Sequence, residues 1–184
     1  FVPTQEMCMG RKLQAVIGEV FAERHPDLLL FRPNAALFAH PQHGRLTCTP
    51  DFLAVQRYRL PDDTPQSPVR VRLYPVECKS DQGGQGWGTP GTDEVPEHHK
   101  YQGWQQAEIL NATGTYFPRL NGKRFSWYYV PYTASDQGLM RATYIPMALD
   151  FLDSIDAGEQ PPLDGSPSTT EVLERLHADM DPEA

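Results

Sequence analysis

The sequence predicts a single mixed domain of the α+β class, on three observations. Leu13, Val16, Ile17, Val20 and Phe21 recur at the spacing of one helix face. Short apolar and β-branched runs follow, broken by Pro, Gly and Asn, and a second helical segment then leads into strands rich in aromatic residues. A chain of 184 residues has the length of one domain and can bury a core without staples. Its 18 prolines and 14 glycines predict long, punctuated loops between the elements.

The first helix is expected over residues 10–24 and is ended by "HPD". "DLLLFRPNAALFAHPQHGRLTCTPDFLAVQRYRL" reads as three short strands, with breaks at Arg32-Pro33-Asn34 and Pro41-Gln42-His43-Gly44. "PDDTPQSP" separates the strand bearing Thr49-Pro50-Asp51 from the next, "VRVRLYPVECKS", so these strands form an antiparallel meander. "DQGGQGWGTPGTDEVP", with its five glycines, reads as a mobile loop, either a substrate-gripping segment or a plain connector. "EHHKYQGWQQAEILNATG" is a helix closed by Gly114, with Tyr101 and Trp104 packing it on the sheet. "KRFSWYYVPYT" and "LMRATYIPM" read as strands, and "ALDFLDSIDAG" as a further helix. After Gly158 comes a polar linker and a short helix whose Ser168-x-x-Glu171 fits a capping box. The expected division is a domain over 1–158 and a tail over 159–184, a satellite element or a partner contact.

Composition narrows the classes of function. A net charge of −8 argues against a general nucleic-acid coat protein, but not against an enzyme that gathers its cations in one cleft and offsets an acidic site with divalent metal. No apolar run is long enough to cross a bilayer, and no basic stretch followed by an apolar signal core opens the sequence, so a cytoplasmic protein without a membrane partner is expected. Cys8, Cys48 and Cys78 are odd in number and lack CxxC spacing, which argues against a disulfide framework, a zinc knuckle or a four-cysteine cluster.

The chemistry concentrates in "PVECKS". Strand alternation puts Glu77 and Lys79 on one face and Val76 and Cys78 on the other. An isolated E-x-K is ordinarily a surface ion pair. Here Asp51 precedes it on a neighbouring strand and a glutamine-bearing helix follows. Carboxylate oxygens of Asp51 and Glu77, with the Cys78 backbone carbonyl, suit Mg²⁺, for which Mn²⁺ can substitute. Lys79 would then orient or help deprotonate a metal-bound water for attack on a phosphodiester.

"TPDF", "ECK" and "VPEHHKYQGWQQAEILNATG", in that order after a first helix, resemble the PD-(D/E)xK nuclease superfamily. The likeness is to its phage-lambda-exonuclease-like, YqaJ-type recombination nucleases, over about Gly10 to Leu152. The resemblance implies a restriction-endonuclease-like core, a central mixed sheet flanked by helices. It implies that Asp51 and Glu77 bind metal, that Lys79 is the catalytic lysine, and that Gln105, nine residues before Gly114, is the helix glutamine beside the scissile phosphate. Gln102 and Gln106, one turn apart, share its face or are simply solvated. One departure stands out. The family carries a glutamate four residues after the first-helix glycine, and here that position after Gly10 is Gln14, which can ligate a metal only as a neutral amide.

Arg11, Lys12, Lys100, Lys123 and Arg124, with Gln102, are candidates for phosphate contacts that position a duplex without reading its sequence. His98 and His99 are not expected to be zinc ligands, because no further ligands are evident. The expected activity is a metal-dependent, sequence-nonspecific exonuclease on double-stranded DNA with a free end, in recombination or repair. By resemblance, its partners are a strand-annealing protein and further copies of the chain in a ring trimer. The alternatives are a nuclease-fold module that binds DNA or a partner without cutting, motivated by Gln14, and an endonuclease of the same superfamily.

Overall fold

The apolar stripe of the first segment folds as α1 (Gln5–Arg24), which begins at Gln5 rather than Gly10. The structure is a computed structural model describing residues 4–34, 36–81, 83–159 and 165–176. The chain divides into two units, Phe1–Tyr144 and Ile145–Ala184.

In the first unit, α1 is followed by β1 (Leu28–Phe31), β2 (Phe38–Ala39), β3 (Thr47–Cys48), β4 (Phe52–Tyr58), β5 (Arg70–Val76), β6 (Lys79–Asp81), α2 (Glu97–Leu110), β7 (Gly114–Asn121) and β8 (Arg124–Pro131). Six strands form one mixed sheet, in the order β1-β4-β5-β7-β6 with β8 on β7, and helices flank it. Ile17 and Phe21 of α1 pack on Leu28, Phe52, Ala54, Tyr74 and Val76, all buried. Burial of the Ile, Leu, Val and Phe side chains among them contributes about 1.5–3 kcal/mol each. Phe117 points to the opposite face from its neighbour Tyr116 and joins Val95, Tyr128, Val130 and Trp104 beneath α2.

Several elements differ from the expectation. Four strands, not three, occupy residues 28–58, because β2 and β3 pair as a separate hairpin and β1 pairs with β4 instead of its neighbour in sequence. Thr49-Pro50-Asp51 lies in the link between β3 and β4 and not on a strand. Pro50, with no N–H to give, stops the pairing. "VRVRLYPVECKS" is two strands, interrupted at Glu77-Cys78. Val76 stands opposite Tyr116 and Lys79 opposite Arg119, so the parallel register with β7 is the same on both sides of the interruption. Glu77 N donates to the Tyr116 carbonyl at 2.9 Å. The next ladder bond would come from residue 118, which is a proline, so the Glu77 carbonyl is left out of the ladder.

α2 closes at Asn111, in the left-handed conformation with φ 51°, and Gly114 instead opens β7, a strand not expected from the sequence. "LMRATYIPM" is helical: Thr133 and Asp136 form a reciprocal capping box that starts α3 (Ala134–Leu139), followed by a π-helical turn over Met140–Tyr144. Residues 83–96 form neither helix nor strand, yet Trp87 packs on Tyr128, and the Gly91 N–H donates to the Trp127 carbonyl. Glu108 of α2 is half-buried; its oxygens accept from Arg141 Nε at 2.7 Å and Tyr132 OH at 2.8 Å, with His40 Nε2 at 3.7 Å. These contacts join the β2–β3 hairpin and the π-helical turn to α2.

The second unit contains α4 (Ile145–Asp156) and α5 (Pro167–Leu176). The cap of α5 is Ser166, whose Oγ accepts from Thr169 N at 3.2 Å, while Ser168 lies inside the helix. The central part of the expected linker, 160–164, lies outside the described residues. Cys48 and Cys78 are buried free thiols and Cys8 is an exposed one. Among the described residues no helix is long and apolar enough to cross a membrane.

Candidate active site

The interruption between β5 and β6 places Glu77, Cys78 and Lys79 at a strand end facing α2, beside the link that carries Asp51. Cys78 N donates to Asp51 Oδ2 at 2.8 Å, tying the two segments together. Lys79 Nζ donates to Glu77 Oε1 at 3.2 Å and to Gln102 Oε1 at 2.8 Å. The Gln102 amide closes the triangle by donating from Nε2 to Glu77 Oε1 at 2.8 Å. One helical turn on, Gln106 Nε2 donates to Glu77 Oε2 at 3.0 Å. Both oxygens of Glu77 are therefore held by α2.

The electrostatics follow from burial. Asp51 is pushed up to about 7, first by desolvation and then by the negative charge of Glu77, against the pull of the Cys78 N–H, Lys79 and Arg32. Burial likewise raises the Cys78 thiol, so it stays protonated and inert. His99 packs between Trp87 and Phe117; burial, then the charges of Lys79 and His98, push it down to about 4, with Asp81 opposing. It is a neutral packing residue.

The structure brings Asp51, Glu77, Lys79 and Gln102 together, adds Gln106, and leaves Gln105 outside. Gln105 is exposed and donates from Nε2 to the Thr47 carbonyl of β3 at 3.2 Å. A count back from Gly114 does not give the helix face, because α2 ends at Asn111 and the count crosses residues with no helical register. Gln14 is half-buried, and its carbonyl accepts from Cys78 Sγ at 3.7 Å, which places α1 beside the site. Arg11 and Lys12 are exposed on α1, and Lys123 and Arg124 at the β7–β8 turn. Lys100 pairs with Asp93 at 3.3 Å. A cleft of about 480 Å³ opens between α1 and β6, bounded by Leu13, Ser80 and Leu120. Trp104 packs α2 on the sheet as expected, donating from Nε1 to the Pro131 carbonyl, whereas Tyr101 packs on Trp104 and Tyr144 and its hydroxyl donates to Glu97.

Among the described residues no group of three or more His, Cys, Asp and Glu side chains is placed to hold a metal. The donor set at the strand end still fits a hard divalent cation in chemical type. Asp51 and Glu77 are two carboxylates whose charges oppose one another, and Gln106 Oε1 is buried beside Glu77 with no hydrogen-bond partner.

No protein-family model matches the chain, and no curated protein is significantly similar to it. A crystal structure of SSO0001 is similar at 11% identity and a TM-score of 0.44, covering 79% of this chain and 62% of that one. The chain thus spans less than two thirds of that structure's length.

Proposed function

We propose that this chain is a metal-dependent deoxyribonuclease that hydrolyses phosphodiester bonds without reading sequence, in the manner of PD-(D/E)xK nucleases, and that it acts as an exonuclease on double-stranded DNA. The observation carrying this reading is the Lys79 ammonium, fixed between Glu77 and Gln102 beside the half-buried Asp51. Asp51 and Glu77 would hold Mg²⁺ or Mn²⁺, with the Cys78 carbonyl and Gln14 as further oxygen donors. The bound cation supplies charge neutralisation at the phosphate and a more acidic water.

The chain's own groups do the rest. An ammonium has three donors, and Lys79 commits two of them to Glu77 and Gln102. Its third N–H is directed to the attacking water or to a phosphate oxygen, where positive charge stabilises the developing pentacovalent anion. Gln102 fixes the orientation of that ammonium, and Gln106 keeps the Glu77 carboxylate from rotating. The test is digestion of end-labelled linear duplex beside closed circular plasmid, with Mg²⁺, Mn²⁺ or EDTA, for the wild type and Asp51→Asn. Progressive, metal-dependent loss of linear DNA alone, absent in the variant, is the expected result. Nicked circles would assign an endonuclease, and intact DNA in every condition would remove the hydrolase reading.

A second reading, a module that binds DNA or a partner without cutting, is favoured by Gln14. With an amide where an acid would sit, two carboxylates are left to hold metal. DNA retained but uncut by both the wild type and Gln14→Glu would establish it.

A further inference from the structure

Arg32 ends the β1 segment and sits one residue past the strand, at an exposed position. Its guanidinium carbon lies 5.7 Å over the ring of Phe52, the residue that follows Asp51. That ring cannot drift. A methyl group on Gly18 of α1 would come within 2.5 Å of Phe52 Cζ, so the ring fills the notch that this glycine leaves in the helix. Arg32 is therefore anchored on a packed aromatic plane, that of the residue next to Asp51 in the chain.

The other arginines near acidic groups are already committed: Arg70 to Asp63, Arg119 to Asp81, Arg141 to Glu108 and Arg175 to Glu171. Arg32 makes no hydrogen bond or ion pair among the described residues, while its charge is felt at both Asp51 and Cys78. A net charge of −8 and two carboxylates repel a polyanion, so an uncommitted cation whose field reaches Asp51 has an evident use. The planar guanidinium matches the two non-bridging oxygens of one phosphodiester.

We propose that Arg32 is a phosphate-binding residue, gripping a backbone phosphate of the DNA strand next to the one placed over Asp51 and Glu77. The inference rests on the nuclease-fold reading above, and it concerns binding and not hydrolysis. In the sequence Arg32 belongs only to the break "RPN" at a strand end, and nothing local shows that the chain returns to place Phe52 beneath it.

The test measures binding of a short blunt duplex as a function of salt, once in EDTA and once with Ca²⁺ replacing Mg²⁺. The variants are Arg32→Ala, Arg32→Lys and, as a control on the exposed β4 surface, Arg57→Ala. A plot of log K against log salt should flatten by about 1 in Arg32→Ala, the loss of one phosphate contact. Arg32→Lys should keep the wild-type slope with weaker binding at fixed salt, and Arg57→Ala should match the wild type. A wild-type slope in Arg32→Ala, an equal flattening in Arg57→Ala, or no duplex binding by the wild type would overturn the proposal. If Arg32→Ala unfolds, as read by circular dichroism, Arg32→Gln takes its place. A chain that binds with an Arg32-dependent slope but never cuts would sink the hydrolase reading and keep this one; a chain that cuts with an Arg32-independent slope would do the reverse.

Discussion

Gln102 touches both members of the pair on which the proposed chemistry depends, accepting from Lys79 Nζ and donating to Glu77 Oε1, each at 2.8 Å. Gln102→Met keeps the length of the side chain but can make neither bond. Loss of a hydrogen bond to a charged group costs about 1.5–3 kcal/mol, which at about 1.4 kcal/mol per decade predicts a turnover roughly 10- to 100-fold lower. Gln105→Ala loses only a bond to the Thr47 carbonyl on the exposed side of α2 and should stay within about twofold of the wild type. Single-turnover digestion of linear duplex separates the two, and equal losses would return the catalytic role to Gln105. Lys79→Ala, by contrast, should abolish turnover while leaving duplex binding in Ca²⁺ largely in place. Turnover at the wild-type rate in that variant would remove the lysine from the mechanism.

The geometry of α2 is set from below, by the strand it covers. A methyl group at Gly103 would lie 2.9 Å from Phe117 Cε2 and 3.3 Å from Thr115 Cβ, and Phe117 is fully buried. Thr115 Oγ1 also donates to the Gly103 carbonyl at 2.8 Å. Gly103→Ala improves helix propensity by about 1 kcal/mol, but the buried ring cannot yield, and overpacking of this kind costs about 1–3 kcal/mol. A lower urea midpoint is expected, with reduced turnover as Gln102 and Gln106 are pushed off Glu77; an unchanged midpoint would show that β7 gives way. The sequence made α1 legible through its 3.6-residue period, and Asp51, Glu77 and Lys79 through residue type and order. It hid β7, because Pro118 reads as a breaker when it in fact stands opposite the gap that frees Glu77. The glutamine register was hidden by the helix end: Asn111, and not Gly114, adopts the left-handed conformation that closes α2. "LMRATYIPM" misled because a capping box upstream of it, at Thr133 and Asp136, outweighs a handful of β-branched residues.

At the scale of the whole molecule, partly buried titratable groups decide how the fold answers pH. His99, ordinarily 6.5, is pushed down to about 4, and burial lowers His25 as well, against the pull of Asp27. Between pH 6.5 and about 4 the unfolded chain binds a proton at His99 that the folded chain refuses, and below 6.5 His25 acts in the same direction, so both histidines withdraw stability as the solution is acidified. Asp51 works in the opposite sense. Ordinarily 3.8 and here pushed up to about 7, it takes a proton in the folded state that the unfolded chain does not, and stability rises as pH falls from 7 toward 3.8. Asp81, held low first by its hydrogen bond from Arg119, stabilises the fold above the ordinary carboxylate value and loses that contribution only below it. Over pH 7.5 to 5 the histidine and Asp51 effects therefore oppose one another, and the wild type alone would report only their difference. Urea denaturation of the wild type, His99→Gln and Asp51→Asn at both pH values, in EDTA, pulls them apart. His99→Gln should be less weakened by acid than the wild type and Asp51→Asn more so. A His99→Gln profile parallel to the wild type would mean that the imidazole between Trp87 and Phe117 takes up its proton freely in the folded state. Solvent would then have to reach that imidazole, because desolvation is the first cause of its low value and the Lys79 charge only the second.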